Sequence, residues 1–287
     1  MLAIYKKELR SYFTTMIGFI YAALFLAVIG IYFVVYNIQT AYSKFEYVLN
    51  DIRFLYIILI PILTMRLIAE EKKQKTDQLL LTSPISVSKI VFGKYFAAYT
   101  MYLLPMLLTA FYPVIIAQYG KVNFATAYSS LFGFVLLGAT YMALGLFISS
   151  VTENQVIALI VTAIALLVNQ IMPGIAGMIP TDHRTAWIVI CSLVILICLI
   201  AQLAMHNVFI TFTIGVIGEA FAAVVYFVKP SLYDGIVAKI LNVFSISEKY
   251  DNFSNGILDL NAILYFLSII AMFLLLTIQV IKKKRWN

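Results

Sequence analysis

Charge is what this sequence has least of. Acidic and basic residues make up 11% of its 287 positions, whereas 63% are hydrophobic. Soluble domains carry roughly 25% charged residues, so this chain has too few to coat a globular surface, and lipid is its solvent. Cysteine and histidine are scarce too. Cys191 and Cys198 share a helix face but sit about 10 Å apart along its axis, too far for a disulfide, and read as small residues at a helix contact. His183 and His206 lack metal-ligand spacing. The pairs Gly93-Lys94 and Gly120-Lys121 lack the upstream glycine and the following Ser/Thr of a phosphate-binding loop, which excludes ATP hydrolysis by this chain alone. Asp182-His183 has no accompanying nucleophile. No catalytic, cofactor-binding or metal-binding residues are therefore expected. The net charge of +7 does not indicate nucleic acid, because the basic residues gather at the chain ends and in one polar insert, as in an oriented membrane protein.

Long hydrophobic runs fill the remaining space. A span needs about 20 apolar residues, and eight such runs occur, near 17–37, 52–69, 92–118, 128–150, 155–172, 187–204, 208–228 and 262–281. The expected fold is all-α, a polytopic membrane helical bundle of about eight transmembrane helices in a single domain, 1–287. Residues 1–16 differ. Leu2, Tyr5, Leu9, Tyr12, Phe13 and Met16 recur at helical spacing, with Lys6, Lys7, Glu8 and Arg10 on the other side, which predicts an interfacial amphipathic helix. That stretch also lacks a small-residue cleavage site, so the first span is expected to act as the insertion signal. Placing both termini in the cytoplasm puts thirteen Lys and Arg inside and seven outside, as the positive-inside rule requires.

The most informative stretch is MRLIAEEKKQKTDQLLLTSPISVS, Met65–Ser88, between the second and third spans. Pro84 disfavours helix at Ser83, and Ser86 or Ser88 suits the start of the next helix. The pattern predicts a short helix continuing the second span, a turn at Thr82-Ser83-Pro84 and re-entry. Such a helix suits docking of a soluble partner, and a solvated loop carrying positive-inside charge fits the same residues.

From Thr64 to Ser86 the sequence resembles the cytoplasmic signature of ABC-2-type permeases, especially the branch of gliding-motility-associated permease subunits. LGLFISSVTENQVIA, Leu144–Ala158, resembles that family's junction between spans four and five. Phe253, Gly256, Ile257, Asp259 and Leu260 before the last span, with a basic-Trp tail, resemble its closing pattern. The resemblance implies a permease subunit in a bacterial plasma membrane. It would pair with a second permease and with ABC ATPase subunits that hold ATP and magnesium. Glu70, Glu71, Lys72, Lys73, Thr76, Leu79, Leu80 and Pro84 would form the ATPase-coupling segment within 70–86. Glu153, Asn154 and Gln155 would form a second inner loop. The family usually has six spans, so 187–228 reads as an extra helical pair.

Polar groups placed in lipid are costly and mark function or helix contacts. Glu219 in the seventh span is expected to be neutral and bonded to a neighbour such as Gln202. Asn169 and Gln170 line a polar path or bond between helices. Pro61, Pro105 and Pro113 are expected to kink spans two and three. Met172–Pro180 reads as a re-entrant turn, and 229–261 as an extracellular amphipathic segment with a capping box at Ser245 and Glu248. Three rivals fit parts of the sequence. They are a lipid-handling membrane enzyme using Asp182 and His183, a proton-coupled carrier using Glu219, and a non-transporting sensor or immunity subunit.

Overall fold

Lipid contact requires every backbone polar group to be satisfied within its own segment, and the chain meets this with helices. A computed structural model describes residues 1–78, 85–179, 182–205, 215, 219, 226 and 233–286, and no strand occurs among them. Six helical stretches in this set are long and apolar enough to cross a membrane: Met16–Gln39, Phe45–Thr64, Val87–Ala117, Phe124–Val151, Gln155–Met178 and Leu260–Lys284. The protein is an all-α polytopic bundle. Of the 187–228 pair, the first member lies within an α-helix, His183–Met205, and most of the second falls outside the described residues.

Packing divides the chain into two compact units, Met1–Val168 with Lys249–Asn287, and Asn169–Glu248. The first begins with α1 (Leu2–Thr14), which breaks at an extended Thr15 before α2 (Met16–Phe33). The first span continues as a π-helical turn, Val34–Gln39. Helix α1 packs chiefly on α6 (Val87–Thr109), through a buried stripe of Ile4, Glu8 and Tyr12. The expected division of faces is thus corrected. Glu8 lies on the packed side, while Leu2 and Met16 are 72% and 80% exposed, as suits contact with lipid.

The second span also differs from expectation. It starts earlier, as α3 (Phe45–Asp51), and ends at Thr64 with α4 (Tyr56–Thr64). Residues 65–68 form turns before a separate short helix, α5 (Ala69–Lys73). The span therefore does not run on into the coupling segment. Pro61 and Pro105 lie inside α4 and α6 as expected, but Pro113 heads a new helix, α7 (Tyr112–Ile116). Its missing N–H costs nothing in the first turn. The fourth span is α8 (Phe124–Val151). The expected re-entrant turn does not form over Met172–Met178, because α9 (Gln155–Met178) continues through Pro173; Pro180 lies outside the described residues. One proline removes one helical bond, which membrane helices tolerate.

Small residues let these helices close on one another. A Cβ on Gly133, Gly138 or Gly145 of α8 would collide with Phe253, Tyr102 or Thr64 respectively. Phe253 belongs to α12 (Asp251–Ser254) and is fully buried. Ser130 donates to its carbonyl at 3.1 Å. Gly256 then turns the chain at φ +81 against Thr126, where a side chain would be strained. Asp259 Oδ1 accepts from the Asn261 N–H at 2.9 Å, starting the last span, α13 (Leu260–Trp286), which packs along α8. The closing pattern of the sequence is thus the device that seats the final helix.

In the second unit, α10 (His183–Met205) and α11 (Ile236–Phe244) pack around Ala186, Tyr233 and Val237. Ile240, Val243 and Phe244 of α11 stay exposed, the pattern of an interfacial helix. Ser245 Oγ accepts from the Glu248 N–H at 3.3 Å, one half of the expected capping box.

Candidate functional site

Lipid expels charge to the ends of spans, and in the first unit one end collects α1, the turn at 65–68, α5, the close of α8 and the basic tail. Lys94 lies at its centre. The residue is on α6, within the third span, and is 1% exposed. A buried ammonium must be paired. Its Nζ lies 2.9 Å from Glu8 Oε1 of α1 and 2.9 Å from Glu71 Oε1 of α5, and it donates to Leu67 O at 2.6 Å. One cation therefore ties three segments together. Lys7 adds an outer contact to Glu71 at 3.2 Å. Burial opposes its ammonium, but the carboxylates of Glu71 and Glu8 outweigh that and raise its pKa.

Arg66 forms a second clasp. Its guanidinium sits 5.0 Å over the Tyr12 ring, donates to Thr15 Oγ1 at 3.0 Å and to Ser11 Oγ, and lies 3.7 Å from Glu70 Oε2. Tyr12 donates to Leu63 O at 2.6 Å. Burial holds the Tyr12 phenol well above its ordinary range, so it remains a donor.

The turn at 65–68 is held by α8. Ser149 Oγ accepts from the N–H groups of Ile68 and Ala69 at 3.2 and 3.1 Å, and donates to Met65 O at 3.1 Å. Its hydroxyl replaces bonds that a continuous helix would have made along its own axis. Lys72 donates to Ser150 O. Burial, and then the charge of Lys284, lowers the Lys72 pKa. Ser149→Ala is expected to orphan these backbone groups and cost about 1–3 kcal/mol, read as a lower midpoint in thermal unfolding, with Ser192→Ala as the control because Ser192 is exposed and bonds only its own helix.

The predicted coupling residues divide between two roles. Glu71 and Lys72 face the bundle and hold the segment to it, and Glu70 is reached by Arg66. Lys73 and Thr76 are exposed, as is Lys75 between them, which turns the chain at φ +57. Leu79, Leu80 and Pro84 lie outside the described residues. Asp77 pairs with Lys284 of the tail at 3.0 Å, and Lys284 reaches Glu153 at 3.6 Å. The two predicted inner loops and the tail thus share one polar layer. Asn154 Oδ1 accepts from the Val156 N–H at 2.9 Å and starts α9, whose first residue is Gln155.

The remaining candidates sit in the second unit. Asn169 donates to Phe244 O at 3.0 Å and accepts from the Ser247 N–H at 3.2 Å, so its amide joins segments of the chain. Gln170 is half-buried. Glu219 Oε1 is buried without a hydrogen-bond partner among the described residues; the Gln202 side chain, its expected partner, is outside the described set. Asp182 precedes α10, and its carbonyl accepts from Ala186 at 3.1 Å.

The sequence reading missed Lys94, Glu8, Arg66 and Ser149. A signal was present for Lys94, since an ion inside an apolar run requires a buried counter-charge.

The family model described as ABC-2 family transporter protein matches residues 32–228. The chain belongs to this family. It is a multi-pass ABC transporter permease, and the match takes in the charged turn after span two, the junction after span four and the 187–228 pair. No curated protein matches the chain. In this ABC-2 permease the polar layer around Lys94 includes Glu71, one residue of the stretch the resemblance would assign to ATPase coupling.

Proposed function

We propose that this permease is the membrane subunit of an ATP-driven exporter, working with a second permease and with ABC ATPase subunits that bind ATP and magnesium. The coupling end faces the cytoplasm of a bacterial plasma membrane, a placement supported by the excess of basic residues at that end. The three sequence motifs favour the gliding-motility-associated branch. The cargo is a hydrophobic or amphipathic molecule such as a peptide, a lipid or a lipid-linked glycan.

One observation carries the coupling role. The segment after span two presents Lys73, Lys75 and Thr76 outward, while Glu71 is bonded through Lys94 to α6 and, by the shared ion, to α1. A surface pushed from outside is therefore rigidly joined to the third span, and through Ser149 and Ser150 to the fourth. Movement of a docked ATPase would reach two spans together.

The test is co-expression with an ABC ATPase. Lys73→Glu combined with Lys75→Glu is expected to lower stimulation of the ATPase about tenfold by reversing exposed charge at the contact, with the thermal midpoint of the permease unchanged. Full stimulation by this variant would overturn the docking role. Reversal of Glu71 is a poorer probe, because it also breaks the pair with Lys94.

A further inference from the structure

The opposite end of the first unit carries two neighbouring cavities that coupling does not use. One is a polar cleft of about 680 Å³ with Lys44, Arg53 and Lys121 on its walls, facing Glu46 and Asp251. Arg53 is engaged, 2.8 Å from Asp251 and over the Tyr250 ring. Lys44 rests near the Tyr42 and Tyr47 rings, 5.7 and 5.4 Å from their centroids. Lys121 is exposed. Neither lysine has a carboxylate within ion-pair distance among the described residues, so the cleft offers two cations whose charge an anion can approach, one of them resting on tyrosine rings.

The other cavity, about 380 Å³, is mainly apolar and is walled by Phe33, Ile38, Ile115, Ile116 and Tyr119, within the usual range of ligand pockets. Both cavities are lined by Ser43. Gly120 faces the apolar one and the adjacent Lys121 the polar one. Asn37 also lines the apolar cavity and is 7% exposed. Its Nδ2 donates to Tyr42 O at 2.5 Å, which leaves Oδ1 buried with no partner. An unmade bond in an apolar wall invites a donor from a ligand. Asn37 lies in the π-helical turn Val34–Gln39, a geometry frequent at functional sites. Tyr42, Tyr47 and Tyr119 are exposed around these cavities, as at a membrane–water interface.

We infer that the two cavities form one binding site for an anionic lipid. The chain occupies the apolar cavity. The phosphate sits between Lys44 and Lys121, and a hydroxyl or amide N–H at the head of the chain donates to Asn37 Oδ1. The inference deepens the exporter reading by naming its cargo class, and rests on that reading for the cargo role; binding itself requires no ATPase.

The test uses the purified full chain, without ATPase, in nanodiscs of phosphatidylcholine containing a minor share of phosphatidylglycerol. Lipid retained by the released protein is measured by native mass spectrometry. The wild type is expected to retain phosphatidylglycerol preferentially. Lys44→Gln with Lys121→Gln, both exposed positions, lowers that preference about tenfold. Ile115→Trp, which fills the apolar cavity from a partly exposed position, reduces retention of both lipids, and inorganic phosphate alone displaces neither. Equal preference in wild type and the double variant would overturn the inference, as would displacement by inorganic phosphate. Retained preference with no ATPase stimulation would sink the exporter reading and leave the lipid site standing.

Discussion

Lys94→Met is expected to destabilise the permease by about 3–5 kcal/mol, because it leaves the carboxylates of Glu8 and Glu71 facing each other with their central cation gone. The side chain is 1% exposed, so no water replaces the lost ion. Thermal unfolding in detergent should show a large fall in midpoint. The triple variant Lys94→Met, Glu8→Gln, Glu71→Gln removes the stranded charges and is expected to recover most of that loss, since buried ion pairs contribute little net stability against neutral replacements. Stimulation of a docked ATPase should stay low in the triple variant, because α5 is no longer tied to α1 and α6. A triple variant with restored stability and full stimulation would show that the ion cluster only holds the fold.

Gly145→Leu carries the second large effect. Gly145 lies against Thr64, the last residue of the second span, and any Cβ there would overlap the threonine hydroxyl. The side chain would force α4 from α8 and draw the turn at 65–68 away from Ser149, one helical turn further along α8. Overpacking of this kind costs about 1–3 kcal/mol, and more where backbone must shift. Both a lower thermal midpoint and loss of coupling are expected. Gly174→Leu is the control, because nothing lies within 4 Å of a Cβ at that position. Equal effects from the two substitutions would refute the close-packing account.

The spans were legible because lipid imposes a simple rule, about 20 apolar residues per crossing, and the six helices among the described residues that are long enough to cross follow it. The closing motif was legible for a related reason. Gly256 and Asp259 act locally, one through a left-handed turn and the other by starting a helix. What escaped was long-range. The second span stops at Thr64 without a glycine or proline beside it, because the groups that replace its helical bonds belong to Ser149, 81 residues from Ile68. Glu8 looked like a solvated residue among Lys6, Lys7 and Arg10, yet its partner Lys94 lies 86 residues away. Pro173 is the opposite case, a residue that disfavours helix locally and through which α9 nevertheless continues. Within the segment assigned to coupling by resemblance, the sequence does not separate its residues, and only packing sorts Glu71 and Lys72, which are bonded to the bundle, from Lys73 and Thr76, which are exposed.

The central claim is that the projecting face of this turn is gripped by a separate ATPase. A photo-reactive amino acid placed at Lys73, in the permease co-expressed with an ABC ATPase, tests it directly. The account predicts a covalent permease–ATPase adduct whose yield changes with nucleotide, and little adduct when the same group replaces Tyr119 at the opposite end of the bundle. Equal yields from the two positions, or an adduct from Tyr119 alone, would contradict it.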